Sequence, residues 1–257
     1  MTSRHPMLRV EGLGVRYGAL VALEDVSWQV AAGEILGIIG PNGAGKSSCY
    51  DATTNMVRRS GRVFLDDEDV TEVPPHGLAE LGLKRAFQQN AFFAELSVLD
   101  NMVAVLQRSR GSSLLASIFT PWVEAARRRV LEAEAAALLR RFGVPPEMHG
   151  RRPGSLPYGT QRMLSIALAW GSGAKVLMLD EPAAGLGGED MLRLRDLLGA
   201  LKAEGAALVV IEHHMDLIMS VADRIVVLDQ GRCLAIGTPR EIQADPCVLE
   251  AYLGRAA

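Results

Sequence analysis

Short apolar runs that end in glycine or acidic residues are the first clear pattern in this chain. Three of them, at Glu34–Ile39, Lys175–Leu179 and Ala207–Ile211, consist almost entirely of aliphatic and β-branched residues. Continuous apolar runs of this length are typical of strands that are buried on both faces of a parallel sheet. The pattern therefore predicts an α/β core.

The beginning of the chain has a different pattern. Across Leu8–Val30 apolar and polar residues alternate, with candidate turns at Glu11-Gly12, Tyr17-Gly18 and Ala32-Gly33. Such alternation predicts antiparallel strands with one buried and one exposed face. A second hairpin is predicted at Asp229–Arg232, which separates two short apolar runs.

The middle of the chain has the spacing of helices. Ser97 and Asp100 resemble a capping box before one apolar helix, and Thr120-Pro121 places a capping residue before a first-turn proline. The second helix is predicted to reach Gly143. The residues expected on its buried face are Val123, Ala126, Val130, Ala133 and Ala137. We therefore predict one domain, 1–257, with core segments 1–91 and 155–257 and a helical subdomain 92–154.

Composition and charge exclude several classes of protein. With 27 Lys and Arg against 30 Asp and Glu, the net charge of -3 provides no positive field for nucleic acid, so none is expected as a partner. Every apolar run is shorter than the roughly 18 residues needed to cross a bilayer. The first residues lack the apolar segment of a signal peptide, which favours the cytoplasm. The three cysteines lack the spacing of a zinc site or a disulfide framework.

The strongest chemical motif follows the predicted strand that ends at Ile39. It matches the phosphate-binding pattern G-x-x-x-x-G-K-[S/T], and the residues assigned to the site are Gly40, Pro41, Asn42, Gly43, Ala44, Gly45, Lys46, Ser47 and Ser48. Backbone N–H groups and the helix that follows would hold phosphate oxygens. Lys46 would pair with the β- and γ-phosphates, and the Ser47 hydroxyl would ligate Mg²⁺. A glycine-rich turn without a ligand would not require Lys46-Ser47 at this register.

Two adjacent carboxylates, Asp180 and Glu181, end another predicted strand. Open α/β sheets bind ligands at the carboxyl ends of their strands. Asp180 would hold Mg²⁺, and Glu181 would orient or deprotonate an attacking water. The alternative is that both acids cap a helix that begins near Pro182. Because the chain also contains the phosphate loop, we favour a catalytic role for these two acids over a capping role.

Further motifs follow in the order found in ATP-binding cassette (ABC) ATPases, and nearly the whole chain resembles that family. The resemblance implies a P-loop NTPase core with a mostly parallel sheet, an N-terminal antiparallel β subdomain and an inserted helical subdomain. It assigns Tyr17 to adenine stacking, Gln88 to Mg²⁺ and the attacking water, and His213 to the switch histidine. Taken singly, Tyr17 also fits a cross-strand aromatic, Gln88 a surface loop residue and His213 a capping residue.

Leu156–Gln161 resembles the signature motif of the family. Gly159 and the next N–H groups would direct the positive end of a helix at the γ-phosphate of ATP on a second ATPase subunit. Tyr158, Gly159 and Thr160 are the expected contacts. Pro157 and Thr160 depart from the usual serine and from the usual glutamine or glutamate.

Within the family, the chain is most similar to the longer ATPase subunits of branched-chain amino acid importers. The similarity lies in Asp180–Leu186, in Met215–Leu228 and in the ending Gly237–Gly254. It implies an ATPase that uses ATP and Mg²⁺ at the inner face of the cell membrane. The implied partners are a second ATPase subunit, identical or related, two transmembrane permease subunits and, indirectly, a solute-binding protein.

Two alternatives belong to other classes. A P-loop GTPase would carry a guanine-reading Asn-Lys-x-Asp tetrad, which this sequence lacks, and a P-loop kinase would carry an acceptor lid. A soluble ABC-type ATPase without a membrane partner usually has a second cassette or a long coiled-coil insertion. The length of 257 residues leaves room for neither. The transported solute is not determined by any of these motifs.

Overall fold

The computed structural model describes residues 5–86, 92–109 and 121–253. The chain divides into two compact units. The core unit consists of 1–85, 175–184 and 194–257, and the helical unit consists of 86–174 and 185–193.

Ten strands within the described ranges form two sheets. They are β1 (Pro6–Tyr17), β2 (Leu20–Ala31), β3 (Ile35–Ile39), β4 (Ser60–Leu65), β5 (Glu68–Asp69), β6 (Leu83–Ala86), β7 (Val176–Asp180), β8 (Ala207–Ile211), β9 (Arg224–Asp229) and β10 (Arg232–Gly237). One sheet has the order β2-β1-β4-β5, and the other has the order β10-β9-β3-β8-β7-β6. Strand β3 is parallel to β8 and β9, and β7 is parallel to β8. The predicted α/β core is confirmed, and the carboxyl ends of β3, β7 and β8 lie at one edge.

The nine helices assigned in the same ranges are α1 (Lys46–Thr53), α2 (Pro75–Leu81), α3 (Val98–Ser109), α4 (Pro121–Arg141), α5 (Tyr158–Gly171), α6 (Gly188–Ala203), α7 (Met215–Val221), α8 (Pro239–Ala244) and α9 (Pro246–Leu253). Two 3₁₀ turns lie at Pro146–Met148 and Pro153–Ser155. Within the described residues, these helices are too short or too polar to cross a membrane.

Strands β1 and β2 form the predicted antiparallel pair, but the expected turn at Glu11-Gly12 is wrong. Strand β1 continues through this dipeptide with a register shift, and Gly12 has φ +60°. The shift changes which side chains face inward: Leu8 and Val10 are buried before it, and Leu13 and Val15 after it. A β-bulge explains this change, because one extra residue reverses the alternation.

One apolar cluster fills the core unit and joins both sheets. Val10 and Trp28 of the antiparallel sheet share it with Ile38 and Val209 of the parallel sheet. Side chains of α1, among them Tyr50, belong to the same cluster. The helix that follows the phosphate loop is therefore held in part by the burial of Cys49, Tyr50 and Ala52 in this cluster.

The helical unit contains the two predicted helices. Ser97 caps α3, since its Oγ accepts a hydrogen bond from the Asp100 N–H at 3.0 Å. Helix α3 packs against α4 and α5. A Cβ atom on Gly171 of α5 would lie 3.0 Å from Met102 Sδ, so the helices approach closely at this glycine.

The predicted buried face of α4 is wrong at Val130, Ala133 and Ala137, which are exposed, whereas the predictions for Val123 and Ala126 lie outside the described side chains. Val130 is 62% exposed, whereas Leu131, Ala135 and Leu139 are buried. Helix α4 has apolar residues on several of its faces, so the spacing of its alanines did not identify the face that packs. The larger leucine side chains gain more from burial and determine the orientation.

Candidate functional site

The phosphate loop begins directly after β3, at the carboxyl edge of the parallel sheet. Two of its glycines are required by close backbone contacts. A Cβ atom on Gly40 would lie 2.2 Å from the Leu228 carbonyl oxygen. Gly45 has φ +100°, and its Cβ would lie 2.6 Å from the carbonyl oxygen of Ala22. Any larger residue would displace the loop from its neighbours.

Lys46, the first residue of α1, folds back over the loop. Its Nζ donates hydrogen bonds to the carbonyl oxygens of Gly40 at 2.8 Å and Pro41 at 3.1 Å. Partial burial lowers the pKa of Lys46, while the nearby carboxylates of Glu181 and Asp180 act in the opposite direction. The predicted cation and both predicted carboxylates therefore occupy one electrostatic environment.

An open cleft with a cavity volume of about 340 Å³ lies beside the loop. The residues that line it are Tyr17, Leu20, Val21, Ala22, Asn42, Gly43, Ala44, Gly45, Lys46, Ser47, Ser48 and Glu181. This volume is in the range of sites for small ligands. Tyr17 is 48% exposed at the end of β1, so its ring has a free face.

Asp180 ends β7, and Glu181 follows with a left-handed backbone at φ +46°. The Glu181 N–H donates to the Ile211 carbonyl oxygen at 2.8 Å, which fixes this residue to the end of β8. Its Oε1 lies 3.5 Å from His213 Nδ1. Non-glycine residues with positive φ are uncommon and often lie at functional sites, where neighbouring contacts hold them.

Glu212 was not identified from the sequence. Its carboxylate contacts the two segments that carry Glu181 and His213. Its side chain is fully buried, and its carboxylate accepts hydrogen bonds from the N–H groups of Ala183, His213 and His214. The sequence signal was an acid directly after the buried strand that ends at Ile211.

Helix α1 is unusually polar, yet its side chains are paired. The Arg85 guanidinium contacts Asp51 Oδ1 at 2.7 Å and Thr54 Oγ1 at 2.6 Å, and it lies 4.2 Å from the Tyr50 ring centroid. The Tyr50 hydroxyl donates to the Met178 carbonyl oxygen at 3.1 Å. Burial raises the pKa of Tyr50, which keeps this donor protonated. The polar residues therefore anchor α1 to β6 and β7.

The C-terminal part of the core unit supports the loop from outside. The Gly231 N–H, in the β9–β10 turn, donates to the Ala44 carbonyl oxygen at 3.0 Å. Tyr252 in α9 is half-buried, which raises the pKa of its hydroxyl to about 12, although the nearby backbone of Gly40 acts in the opposite direction. Neither contact was predicted.

The signature residues lie in the helical unit, where α5 begins at Tyr158. The Tyr158 ring covers Gly185, since a Cβ atom there would lie 2.9 Å from Cε1. Gly159 is buried against Asp190, whose Oδ2 would lie 2.2 Å from a Cβ at that glycine. Thr160 is half-buried on the same helix. The acid beside Gly159 was not predicted. Gln88 lies outside the described residues.

Part of the lining of the cleft belongs to a region of the sequence that matches a known protein family. A family model described as ABC transporter matches residues 23–184, which include the phosphate loop, Asp180 and Glu181. The chain belongs to the ABC transporter ATP-binding family. It is therefore an ATP-binding ATPase domain. A second model, described as branched-chain amino acid ATP-binding cassette transporter, matches residues 232–257.

Two curated relatives of this ABC ATPase match almost its whole length. It is 38% identical to the high-affinity branched-chain amino acid transport ATP-binding protein BraF of Pseudomonas aeruginosa, with 98% of this chain and 99% of the relative covered. It is 36% identical to the corresponding protein LivG of Escherichia coli K12, with the same shares covered.

A solved structure agrees with this fold. The crystal structure of a nucleotide-free ATP-binding cassette from an ABC transporter superposes with a TM-score of 0.81, at 28% identity, over 96% of this chain and 98% of the other. The P-loop NTPase fold that the sequence predicted is thereby confirmed.

Proposed function

We propose that this ABC ATPase energises import of branched-chain amino acids or a related small solute through separate membrane subunits. The observation that carries the proposal is the cleft in which the loop 42–48, Tyr17 and Glu181 meet. The near full-length similarity to importer ATPases supports the choice of transport. Closure of two ATP-bound subunits would move the membrane subunits.

Within the cleft, the loop N–H groups and Lys46 bind the phosphates of ATP. Glu181 accepts a proton from a water molecule whose oxygen attacks the γ-phosphorus, and the bond from that phosphorus to the β–γ bridging oxygen breaks. The products are ADP and inorganic phosphate. His213 stabilises the Glu181 carboxylate and the transferring phosphoryl group. The distance of 3.5 Å from His213 Nδ1 to Glu181 Oε1 is consistent with the first of these roles.

Mg²⁺ fits the oxygen ligands near the cleft. The Ser47 hydroxyl and the Asp180 carboxylate are hard oxygen ligands of the kind that this ion prefers, and Gln88 is the third proposed ligand. Asp180 ends β7 at the carboxyl edge of the parallel sheet, the same edge at which the phosphate loop follows β3. When bound, Mg²⁺ would neutralise charge on the phosphate oxygens.

The proposed assembly contains two permease subunits, a second ATPase subunit and, indirectly, a solute-binding protein. The proposed location is the cytoplasmic face of the cell membrane. The helical subdomain 92–154 would receive the permease, and Tyr158, Gly159 and Thr160 would face ATP on the partner ATPase.

Affinity isolation from detergent-solubilised membranes tests this assembly. We expect two integral membrane proteins to co-purify in stoichiometric amounts, with their recovery dependent on this subunit. A variant with Glu68→Gln on the exposed strand β5 is the matched control and should retain both partners. Recovery of the ATPase alone, or with only soluble proteins, would favour a soluble ABC-type ATPase instead.

Tyr17 is expected to bind adenine through its ring. Tyr17→Phe should keep near wild-type ATP affinity, because stacking uses the aromatic face. Tyr17→Ala should weaken binding about fivefold or more, since stacking of a base on an aromatic side chain contributes roughly 1–3 kcal/mol. Titration with a fluorescent ATP analogue measures both variants. Equal affinity of all three proteins would place adenine elsewhere.

Pro157 provides a test of the signature. It occupies the N-cap of α5 without a side-chain capping bond. In a Glu181→Gln background, Pro157→Ser should tighten ATP-dependent dimerisation about tenfold, because a hydroxyl would donate to the partner's γ-phosphate. ATP affinity of the isolated subunit should not change. Light scattering against ATP concentration measures the dimer, and thermal unfolding measures the capping effect of serine separately. Unchanged or weaker dimerisation would contradict this role.

A further inference from the structure

Glu212 is the one fully buried carboxylate among the described residues, and the mechanism above does not use it. Its side chain has no exposed surface. Oε1 accepts the Ala183 N–H at 2.7 Å, and Oε2 accepts the N–H groups of His213 at 3.0 Å and His214 at 3.1 Å. Burying a carboxylate is costly, so these hydrogen bonds must offset the loss of hydration.

The three donors come from two segments that carry the proposed chemistry. Ala183 follows Glu181 by two residues, on the loop after β7. His213 and His214 form the link from β8 to α7. The carboxylate therefore connects the segment of the base with the segment of the switch histidine. It does so next to the 3.5 Å approach between Glu181 Oε1 and His213 Nδ1.

We propose that Glu212 is a positioning residue that sets the distance between Glu181 and His213 during ATP hydrolysis. This inference rests on the proposed function, because it takes the roles of Glu181 and His213 from it. Hydrolysis depends steeply on such geometry, and a displacement of about 1 Å can reduce a rate by roughly 100-fold.

The hydrogen-bond pattern requires a carboxylate and not merely a polar side chain. An ionised carboxylate only accepts hydrogen bonds, and here both of its oxygens face donors. A glutamine amide has one oxygen and an NH₂ group. Whichever way it turned, the NH₂ would face at least one backbone N–H, and that N–H would lose its partner.

A metal site is the alternative use of this cluster. Glu212, His213 and His214 each bring one potential ligand atom within 4.8 Å of the others. The Glu212 carboxylate already accepts three hydrogen bonds, which leaves at most about one of its lone-pair sites for a cation. The observed contacts thus favour a structural link between the two segments.

Glu212→Gln in the full chain tests the proposal. We expect kcat for ATP hydrolysis to fall at least about tenfold while KM for ATP stays within about threefold, because the phosphate loop keeps its contacts. The effect should shrink in a His213→Ala background, since the two residues would act through one arrangement. A kcat within about twofold of wild type, or full additivity with His213→Ala, would overturn the proposal.

Glu34→Gln is the matched control. Glu34 is also a buried carboxylate that accepts a backbone N–H, from Ala31 at 2.7 Å, but it precedes β3 and lies at the opposite end of that strand from the phosphate loop. The Glu34→Gln variant should have a lower melting temperature than the wild-type protein but the same kcat when folded. If Glu212→Gln behaves in the same way, Glu212 has only a structural role and the proposal is wrong.

One further variant, Glu181→Gln, separates this inference from the proposed function. If Glu181→Gln still hydrolyses ATP at the wild-type rate, the proposed mechanism fails whatever Glu212 does. If Glu181→Gln is inactive and Glu212→Gln is fully active, only the present inference fails.

Should Glu212→Gln not fold, Glu212→Asp keeps the charge and shortens the side chain by one methylene. Reduced kcat at unchanged KM would then support the proposal, and wild-type kcat would overturn it.

Discussion

Glu181→Gln is expected to bind ATP as tightly as the wild-type protein and to hydrolyse it at least about 100-fold more slowly, because an amide cannot accept the proton of the attacking water. The substitution preserves the size of the side chain. It also leaves unchanged the backbone bond from Glu181 to Ile211. The ATP-bound dimer should therefore accumulate. Steady-state phosphate release and size-exclusion chromatography with ATP measure the two effects.

A capping role for Glu181 predicts another result. In that case hydrolysis would remain near the wild-type rate, while thermal stability would fall. Asp196→Asn, at an exposed acid of α6 that pairs only with the adjacent Arg195 in the described contacts, controls for loss of one negative charge. This variant should change neither hydrolysis nor dimer formation.

Lys46→Ala is expected to abolish measurable ATP binding. Its ammonium is partly buried beside the loop, and removal of a buried counter-charge typically costs about 3–5 kcal/mol. That loss corresponds to a decrease in affinity of at least about 100-fold. The fold should survive, because α1 is held by the apolar core and by the Arg85 contacts. Isothermal titration calorimetry measures the binding, and circular dichroism the fold.

Micromolar ATP affinity in Lys46→Ala would refute the assignment of the phosphate loop. Lys202→Ala is the matched control, since Lys202 is likewise a partly buried lysine, paired with Asp223, but lies outside the cleft. Its ATP affinity should equal that of the wild-type protein. A loss of binding in both variants would point to a general effect of charge.

Local patterns in the sequence predicted the parts of the site that depend on neighbouring residues in the chain. The phosphate loop has a defined spacing, and its strand and helix are set by adjacent apolar and capping positions. Asp180 and Glu181 were predicted as site residues because they end or follow a buried strand at the edge where ligands bind. The structure brings Glu181, Tyr17 and the loop into one cleft.

The features that were missed depend on contacts between distant segments. The Glu11-Gly12 bulge is determined by pairing across the sheet, and a glycine alone does not separate a bulge from a turn. The proposed role of Glu212 depends on its hydrogen bond from the Ala183 N–H, and the sequence alone does not show that these two residues lie together. Asp190 likewise gains its significance from Gly159, 31 residues earlier in the sequence.

The contacts around the phosphate loop also determine when this site forms during synthesis. The loop follows β3, but β3 obtains its parallel neighbours only from β8 and β9, and the Ala44 carbonyl obtains its partner from Gly231. Domains generally fold as units as the ribosome releases them, and non-local strand pairing is slow. A nascent chain that already contains the whole phosphate loop would thus lack a competent nucleotide site until residues 207–231 have emerged. We therefore expect ATP to stabilise this protein only late in its folding.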